Sequence, residues 1–257
     1  MPVDLTQIEN RLVRAKAQIE TLESSVQAFR RYLKRNHVVV ETEPDALKQI
    51  ARIHFSWKVP DDWGLTIGEI AHHLRATLDN LVWQLVIANG ATPGSKHEFP
   101  IAVTEGWFRK RGGGKLKGIH PAAFAEIERL QPFARTDGKD PAKHMLAVIH
   151  ELDIIDKHQF VHVAAVVPEG HGYYLPQSAV DAGCVVRFHL RPLENGTPIM
   201  EFIFKRPHPE KVKVDDSATV QVLILETETT PYLPISDLMR AWQLIVNMVN
   251  SISAAAP

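Results

Sequence analysis

The feature that most constrains this chain is a heptad seam at its start. Ile8, Leu12, Ala15, Ile19, Leu22, Val26, Phe29 and Leu33 alternate spacings of four and three without a break. Residues so spaced fall on one stripe of an α-helix, here expected over residues 1–36. An apolar stripe of that length must be covered by another helix along its whole extent. Two covers satisfy the requirement. The stretch 235–253 carries Leu238, Trp242, Ile245, Val249 and Ile252 at the same steps and can pair with the first helix. A second copy of the first helix, giving a homodimer, is the other solution, and both stay open. Arg30, Arg31, Lys34 and Arg35 crowd the last turns, where cations suit the negative end of a helix dipole.

After this helix the hydrophobic period drops to two. Ala51, Ile53, Phe55, Trp57 and Val59 alternate with Arg52, His54, Ser56 and Lys58, the pattern of a strand with one buried face. Residues 37–43 are its natural partner. Val186, Phe188 and Leu190 alternate with Arg187, His189 and Arg191. Asn195-Gly196 then marks a hairpin, and Met200, Phe202 and Phe204 lie on the return strand. Residues 159–167 and 218–228 bring the expected sheet to about six strands, mostly antiparallel. His54, His162 and His189 lie mid-strand and read as part of a solvated sheet face.

Between the strand groups, residues 65–158 read as a helical block. Thr66 and Glu69 form a capping box, and Asn89-Gly90 is a stop. Pro121 opens a helix that ends before Pro132, and Asp140-Pro141 opens another that runs to His158. The expected fold is therefore α+β: a helical block packed with an antiparallel sheet in one interwoven domain over 1–257. Its sheet segments are 37–59 and 159–227, and the two terminal helices form the seam.

Composition narrows the function classes. Apolar residues make up 45% and charged residues 23%, ordinary values for a globular chain. A net charge of −1 creates no global field to draw in nucleic acid, so any such binding needs a local patch. The opening MPVDLTQIEN lacks the layout of a signal peptide, and no apolar run approaches the roughly 20 residues that span a bilayer. Cys184, the single cysteine, excludes an intrachain disulfide and reads as inert packing. A cytoplasmic location without membrane association is expected.

Chemistry concentrates in IAHHLRATLDNLVWQLV, residues 70–86. On a helix of about 100° per residue, Ile67, Ala71, Leu74, Leu78, Leu81, Leu85 and Ala88 make one apolar stripe. One flank carries His72, Arg75 and Asp79; the other carries His73, Thr77, Asn80 and Gln84. A helix covered on several sides must find partners for such flanks, either as a buried structural network or as a polar site between helices. HMLAVIHELDIIDKHQ supplies a second polar edge. His144, Glu151 and His158 share one face, and His150, Asp153 and Lys157 share the next. From His144 to His158 the helix rises about 21 Å, too far for one metal, and the metalloprotease spacing is absent. No metal or cofactor is implied. Asp156, Lys157 and His158 end this helix, where side chains can project into a cleft. A third candidate is WFRKRGGGKLKGIH, which reads as a mobile basic loop. In it Arg109, Lys110, Arg111, Lys115 and Lys117 bracket three glycines beside Trp107 and Phe108, a plausible contact for phosphates and bases.

These motifs resemble a group of uncharacterised bacterial proteins. The shared pattern reads His73-Leu74-Arg75, Leu78-Asp79-Asn80 and Trp83-Gln84-Leu85, then Phe99-Pro100-Ile101, Gln131-Pro132-Phe133 and Ile155-Asp156-Lys157-His158. A weaker resemblance is to HEPN-type domains, helical modules of toxin and defence systems. Many of those are metal-independent ribonucleases in which an arginine and a histidine act at the scissile phosphate. Arg75 takes the arginine position. The histidine position is Asn80, so the resemblance leaves the acid–base role to His73 or His158.

Three functional readings follow. In the first, an HEPN-like site binds or cleaves RNA through Arg75, Asp79, His73, Lys157, His158 and the basic loop. In the second, a small ligand, anionic in one version, binds in the same cleft without chemistry. Across these readings the expected binding residues are His72, Asp79, Asn80, Asp156, Lys157, Arg109, Arg111 and Lys115. In the third, the helix seam is a structural or partner-binding surface.

Overall fold

A computed structural model describes residues 2–158, 161–167, 172–215, 218–225 and 232–256. The fold is α+β, with a long N-terminal helix and a four-stranded antiparallel sheet. The chain divides into two compact units, both discontinuous in sequence. One comprises Met1–Glu23, Asp61–His162 and Ile224–Pro257, and the other Ser24–Pro60 and Val163–Leu223.

The first unit is mainly helical. Helix α1 spans Thr6–Leu33, of which residues 6–23 belong here. Its seam residues Ile8, Leu12, Ala15, Ile19 and Leu22 are all buried within one chain. The need for a cover, which sequence alone left between the C-terminal helix and a second copy, is met internally. Trp242 of α7 (Asp237–Ala255) donates from Nε1 to the Leu12 carbonyl at 2.9 Å. Gln18 donates from Nε2 to Glu69 of α2 (Asp62–Ala88) at 2.7 Å.

Helix α2 is the spine of this unit. Ile67, Ala71, Leu74, Leu78, Leu81 and Leu85 are buried as their spacing requires, and so are Ile70, Val82 and Val86 off the stripe. The helix begins a turn before the expected capping box. Thr66 instead donates its hydroxyl to the Asp62 carbonyl at 3.1 Å, and Glu69 is engaged by Gln18. Asn89 and Gly90 end it as expected, with Gly90 at φ +76° closing back onto Ile87.

Short α3 (Glu105–Trp107) leads into the glycine-rich segment, which is not the mobile loop its composition suggests. Phe108–Gly112 form a π-helical turn and Gly113–Leu116 a 3-10 turn. Phe108 and Leu116 are each 1% exposed, and the Phe108 ring meets Phe124 and Phe133 at 5.9 and 5.6 Å. Two buried apolar anchors eight residues apart outweigh the conformational freedom of the glycines between them. Helix α4 (Pro121–Arg129) starts at the expected proline. The next segment deviates. Pro141–Lys143 is a single 3-10 turn capped by Asp140, the chain extends at His144, and α5 runs Met145–His158.

The second unit holds the sheet, in order β1-β2-β6-β5: β1 Asn36–Thr42, β2 Lys48–Phe55, β5 Val185–Phe188 and β6 Thr197–Ile203. Register pairs Ala51 with Met200 and Arg187 with Glu201. One face buries Ala51, Ile53, Met200 and Phe202 in a core that includes Val212. The other carries a charge ladder in which Arg52 meets Glu41, while Arg187, His189 and Lys48 surround Glu201. His54 and His189 lie on this polar face, but Nε2 of His189 is buried rather than solvated. Trp57 lies past the end of β2 and stacks on Phe55 at 3.8 Å.

Four elements extend beyond those expected from sequence. They are the two-residue pair β4 (Tyr173–Tyr174) and β7 (Lys213–Val214), short α6 (Gln177–Asp181), and β9 (Tyr232–Pro234) ahead of α7. β3 (Val163–Val166) and β8 (Gln221–Leu225) pair within the expected strand segments. Residues 159–160 and 226–228 of those segments lie outside the described residues. Among the described residues, no helix is long and apolar enough to cross a membrane.

Candidate functional site

The polar edges of α2 and α5 do meet, and two glycines allow it. A Cβ on Gly64 would sit 2.1 Å from the Val161 carbonyl oxygen, and one on Gly68 would sit 1.8 Å from Oδ1 of Asp156. At Gly64 only hydrogen fits against that backbone oxygen, and at Gly68 a methyl would displace the Asp156 side chain, so Val161 and Asp156 can lie close against α2. The polar residues then sort into three groups.

Arg75 and Asp79 form a clasp. Arg75, 6% exposed, donates from Nη1 to Asp79 Oδ1 at 2.6 Å and from Nη2 to the Phe99 carbonyl at 2.8 Å. The same Asp79 oxygen accepts from the Phe99 amide at 2.8 Å. Both backbone groups of Phe99, itself fully buried, are thereby satisfied by one ion pair. Burial pushes the Asp79 carboxyl above its ordinary range, against the opposing pull of Arg75 and the Phe99 amide. Asn80, half-buried, takes no part in the clasp.

Beside the clasp lies a second cluster. Lys115 pairs with Glu98 and stands over the Trp107 ring at 5.2 Å. Burial raises the Glu98 carboxyl, but its hydrogen bond to Lys115 and the nearby charges of Lys115 and Arg75 win and hold it low. Burial, reinforced by Arg75 and Lys115, drives His150 down to about 4, so it is neutral near pH 7. Its Nδ1 is buried with no hydrogen-bond partner among the described residues. The other basic residues of the segment are elsewhere. Arg109 is tied to Glu105 at 2.6 Å, while Lys110, Arg111 and Lys117 are exposed.

The third group faces a cleft of about 340 Å³ lined by Arg14, Gln18, Glu69, His72, His73 and Asp156, from α1, α2 and α5. Asp153, 2% exposed, accepts from Lys157 Nζ at 2.6 Å on one oxygen and faces His72 Nδ1 at 3.1 Å with the other. An ionised carboxylate only accepts, so His72 Nδ1 carries the proton and its Nε2 is left for a visitor to the cleft. Burial, then the charges of Arg11, Arg14 and His72, lower His73 below the ordinary imidazole value, with Glu69 opposing. The His72 and His73 rings are 6.2 Å apart. Asp156 is raised, first by burial and then by Asp153. Gln18 Oε1 and His73 Nδ1 are buried with no hydrogen-bond partner among the described residues.

Of the residues singled out from sequence, His72, His73, Asp156 and Lys157 come together at this cleft or its support. Arg75 and Asp79 form the clasp, and Lys115 belongs to the second cluster. His158 is exposed at the end of α5. Arg14, Gln18, Glu69 and Glu98 were not among the site residues expected from sequence, and His150 and Asp153 were placed on the second polar edge without a role. Asp153 was readable as the i−4 partner of Lys157, and Arg14 and Gln18 as a four-residue step on the flank of the seam. Among the described residues, no group of three or more His, Cys, Asp or Glu side chains could hold a metal ion. No protein-family model, curated protein or solved structure matches this chain.

Proposed function

We propose that the α1–α2–α5 cleft binds a small polar ligand and that His72 exchanges a proton with it. The observation that carries this reading is the relay from Lys157 through buried Asp153 to His72, which fixes the tautomer of a ring at the cleft. Arg14 supplies a cation for an anionic group of the ligand, and Glu69 and Asp156 supply acceptors for its donors. Gln18 Oε1 and His73 Nδ1 are two further positions at which a polar ligand gains hydrogen bonds. The test is a thermal-shift screen of nucleotides, amino acids and organic acids against the wild-type chain and His72→Ala. A ligand that raises Tm in the wild type and loses that effect in His72→Ala supports the reading. A screen without a hit, or a shift that His72→Ala leaves intact, overturns it.

A second reading, HEPN-like cleavage of RNA, is favoured by the imidazole pair. His73, held neutral, would take the proton of a ribose 2′-hydroxyl as that oxygen attacks phosphorus. Protonated His72 would deliver its Nε2 proton to the departing 5′-oxygen, leaving a 2′,3′-cyclic phosphate. Arg14 would take the phosphate contact, because it lines the cleft whereas Arg75 is buried in its clasp with Asp79 and Phe99. Cleavage of single-stranded RNA without added metal, abolished in His72→Ala, is the expected result. Activity that persists in that variant excludes this mechanism.

A further inference from the structure

A second cleft in the helical unit, about 690 Å³ in volume, lies where the 135–143 segment meets the first turns of α5 and α7. Its charged residues are unevenly occupied. Arg135 donates to both oxygens of Asp137, at 2.6 and 2.5 Å, and to the Asp140 carbonyl at 2.9 Å. The Asp140 side chain accepts from the Ala142 amide at 2.9 Å, and Asp237 accepts from Arg240 Nη1 at 2.9 Å. One oxygen of each lining carboxylate, Asp140 and Asp237, is thus engaged by a neighbour.

Lys139 and Lys143 are exposed and form no ion pair among the described residues. Arg240 commits one nitrogen of its fork to Asp237 and keeps the others. His144 accepts from the Leu146 amide on Nδ1 at 3.2 Å, so in its neutral form the proton is on Nε2, and the ring is one more donor lining the cleft. Burial, then the charge of Arg135, lower His144 and favour that neutral form.

We propose that this cleft binds a small phosphorylated molecule through Lys139, Lys143, His144 and Arg240. A phosphoryl group brings about −1.5 to −2 charges and three acceptor oxygens, which suits a lining with four basic side chains, Arg135, Lys139, Lys143 and Arg240, against two carboxylates. The volume is large enough for more than one phosphoryl group, so a diphosphate fits the donor set better than a single carboxylate does. This site is separate from the His72 cleft, and its reading does not depend on that one.

The experiment is isothermal titration of the full chain with inorganic pyrophosphate at low ionic strength, with acetate as the comparison anion. Saturable binding is expected, weakened at least tenfold in the Lys139→Ala/Lys143→Ala variant and weakened again by added salt. Both lysines are exposed, so the variant should keep the wild-type Tm, and His72→Ala should bind pyrophosphate as the wild type does. No saturable heat, equal binding of acetate, or unchanged affinity in the double-lysine variant would overturn the proposal.

Discussion

Arg75 and Asp79, one helical turn apart, share a 2.6 Å ion pair whose outer groups hold both the amide and the carbonyl of Phe99. The pair anchors the chain after α2 rather than presenting a free cation. Removing the arginine leaves a largely buried carboxylate and a buried carbonyl without partners, so Arg75→Ala is expected to cost about 3 kcal/mol. Urea denaturation measures it. Arg75→Lys should recover less than half, because a single ammonium nitrogen replaces the two fixed nitrogens that reach Asp79 and Phe99. A variant as stable as the wild type would show that the guanidinium is not structural.

Gly64 gives a sharper steric test. Alanine is worth roughly 1 kcal/mol over glycine inside a helix, so substitution ought to stabilise α2. Here the new methyl carbon would stand 2.1 Å from the backbone oxygen of Val161, which has no rotamer to escape into. We expect Gly64→Ala to destabilise by about 1–3 kcal/mol despite the propensity gain. Gly114→Ala, where the added carbon meets nothing within 4 Å, serves as the control and should be neutral. Thermal melts of the two variants decide the matter.

What was legible in the sequence was what neighbours along the chain dictate. The seam from Ile8 to Leu22, the alternation of Ala51 and Ile53, and the stop at Asn89-Gly90 follow from periodicity and from one residue's backbone freedom. The cleft was only half legible. His72 and Asp153 are 81 positions apart, and nothing local says that α5 lies against the histidine edge of α2. Gly64 and Gly68, four apart on a helix, were the available sign of close approach by another segment. The glycines at 112–114 misled in the other direction. Composition reads them as loose, whereas the bulky residues on either side determine the outcome.

Phe108 is the anchor that turns that segment into helical turns, and it can be removed. A buried phenylalanine cut to alanine costs roughly 3–5 kcal/mol where the surroundings cannot collapse. Phe108→Ala should lower stability by about that amount and loosen the turn that carries Arg109, Lys110 and Arg111. Limited trypsin digestion is the local readout. The wild-type segment should resist cleavage, and the variant should be cut at these basic residues before the rest of the chain unfolds. Rapid cleavage of the wild type at the same sites would contradict the ordered turn.

His150 makes stability depend on pH in a defined direction. Its folded value is about 4, below the ordinary 6.5, so between those values the unfolded chain holds a proton that the folded chain refuses. Stability therefore rises with pH across that window. The contribution is complete above pH 6.5, falls as the solution is acidified toward 4, and stops changing below it. Partial solvent access limits the loss to about 2 kcal/mol between pH 7 and pH 4. His150→Gln keeps a polar side chain of similar reach without the titration. Urea midpoints taken from pH 7 down to pH 4 should fall more steeply for the wild type than for that variant. Parallel curves would mean that the ring is protonated as easily in the fold as outside it.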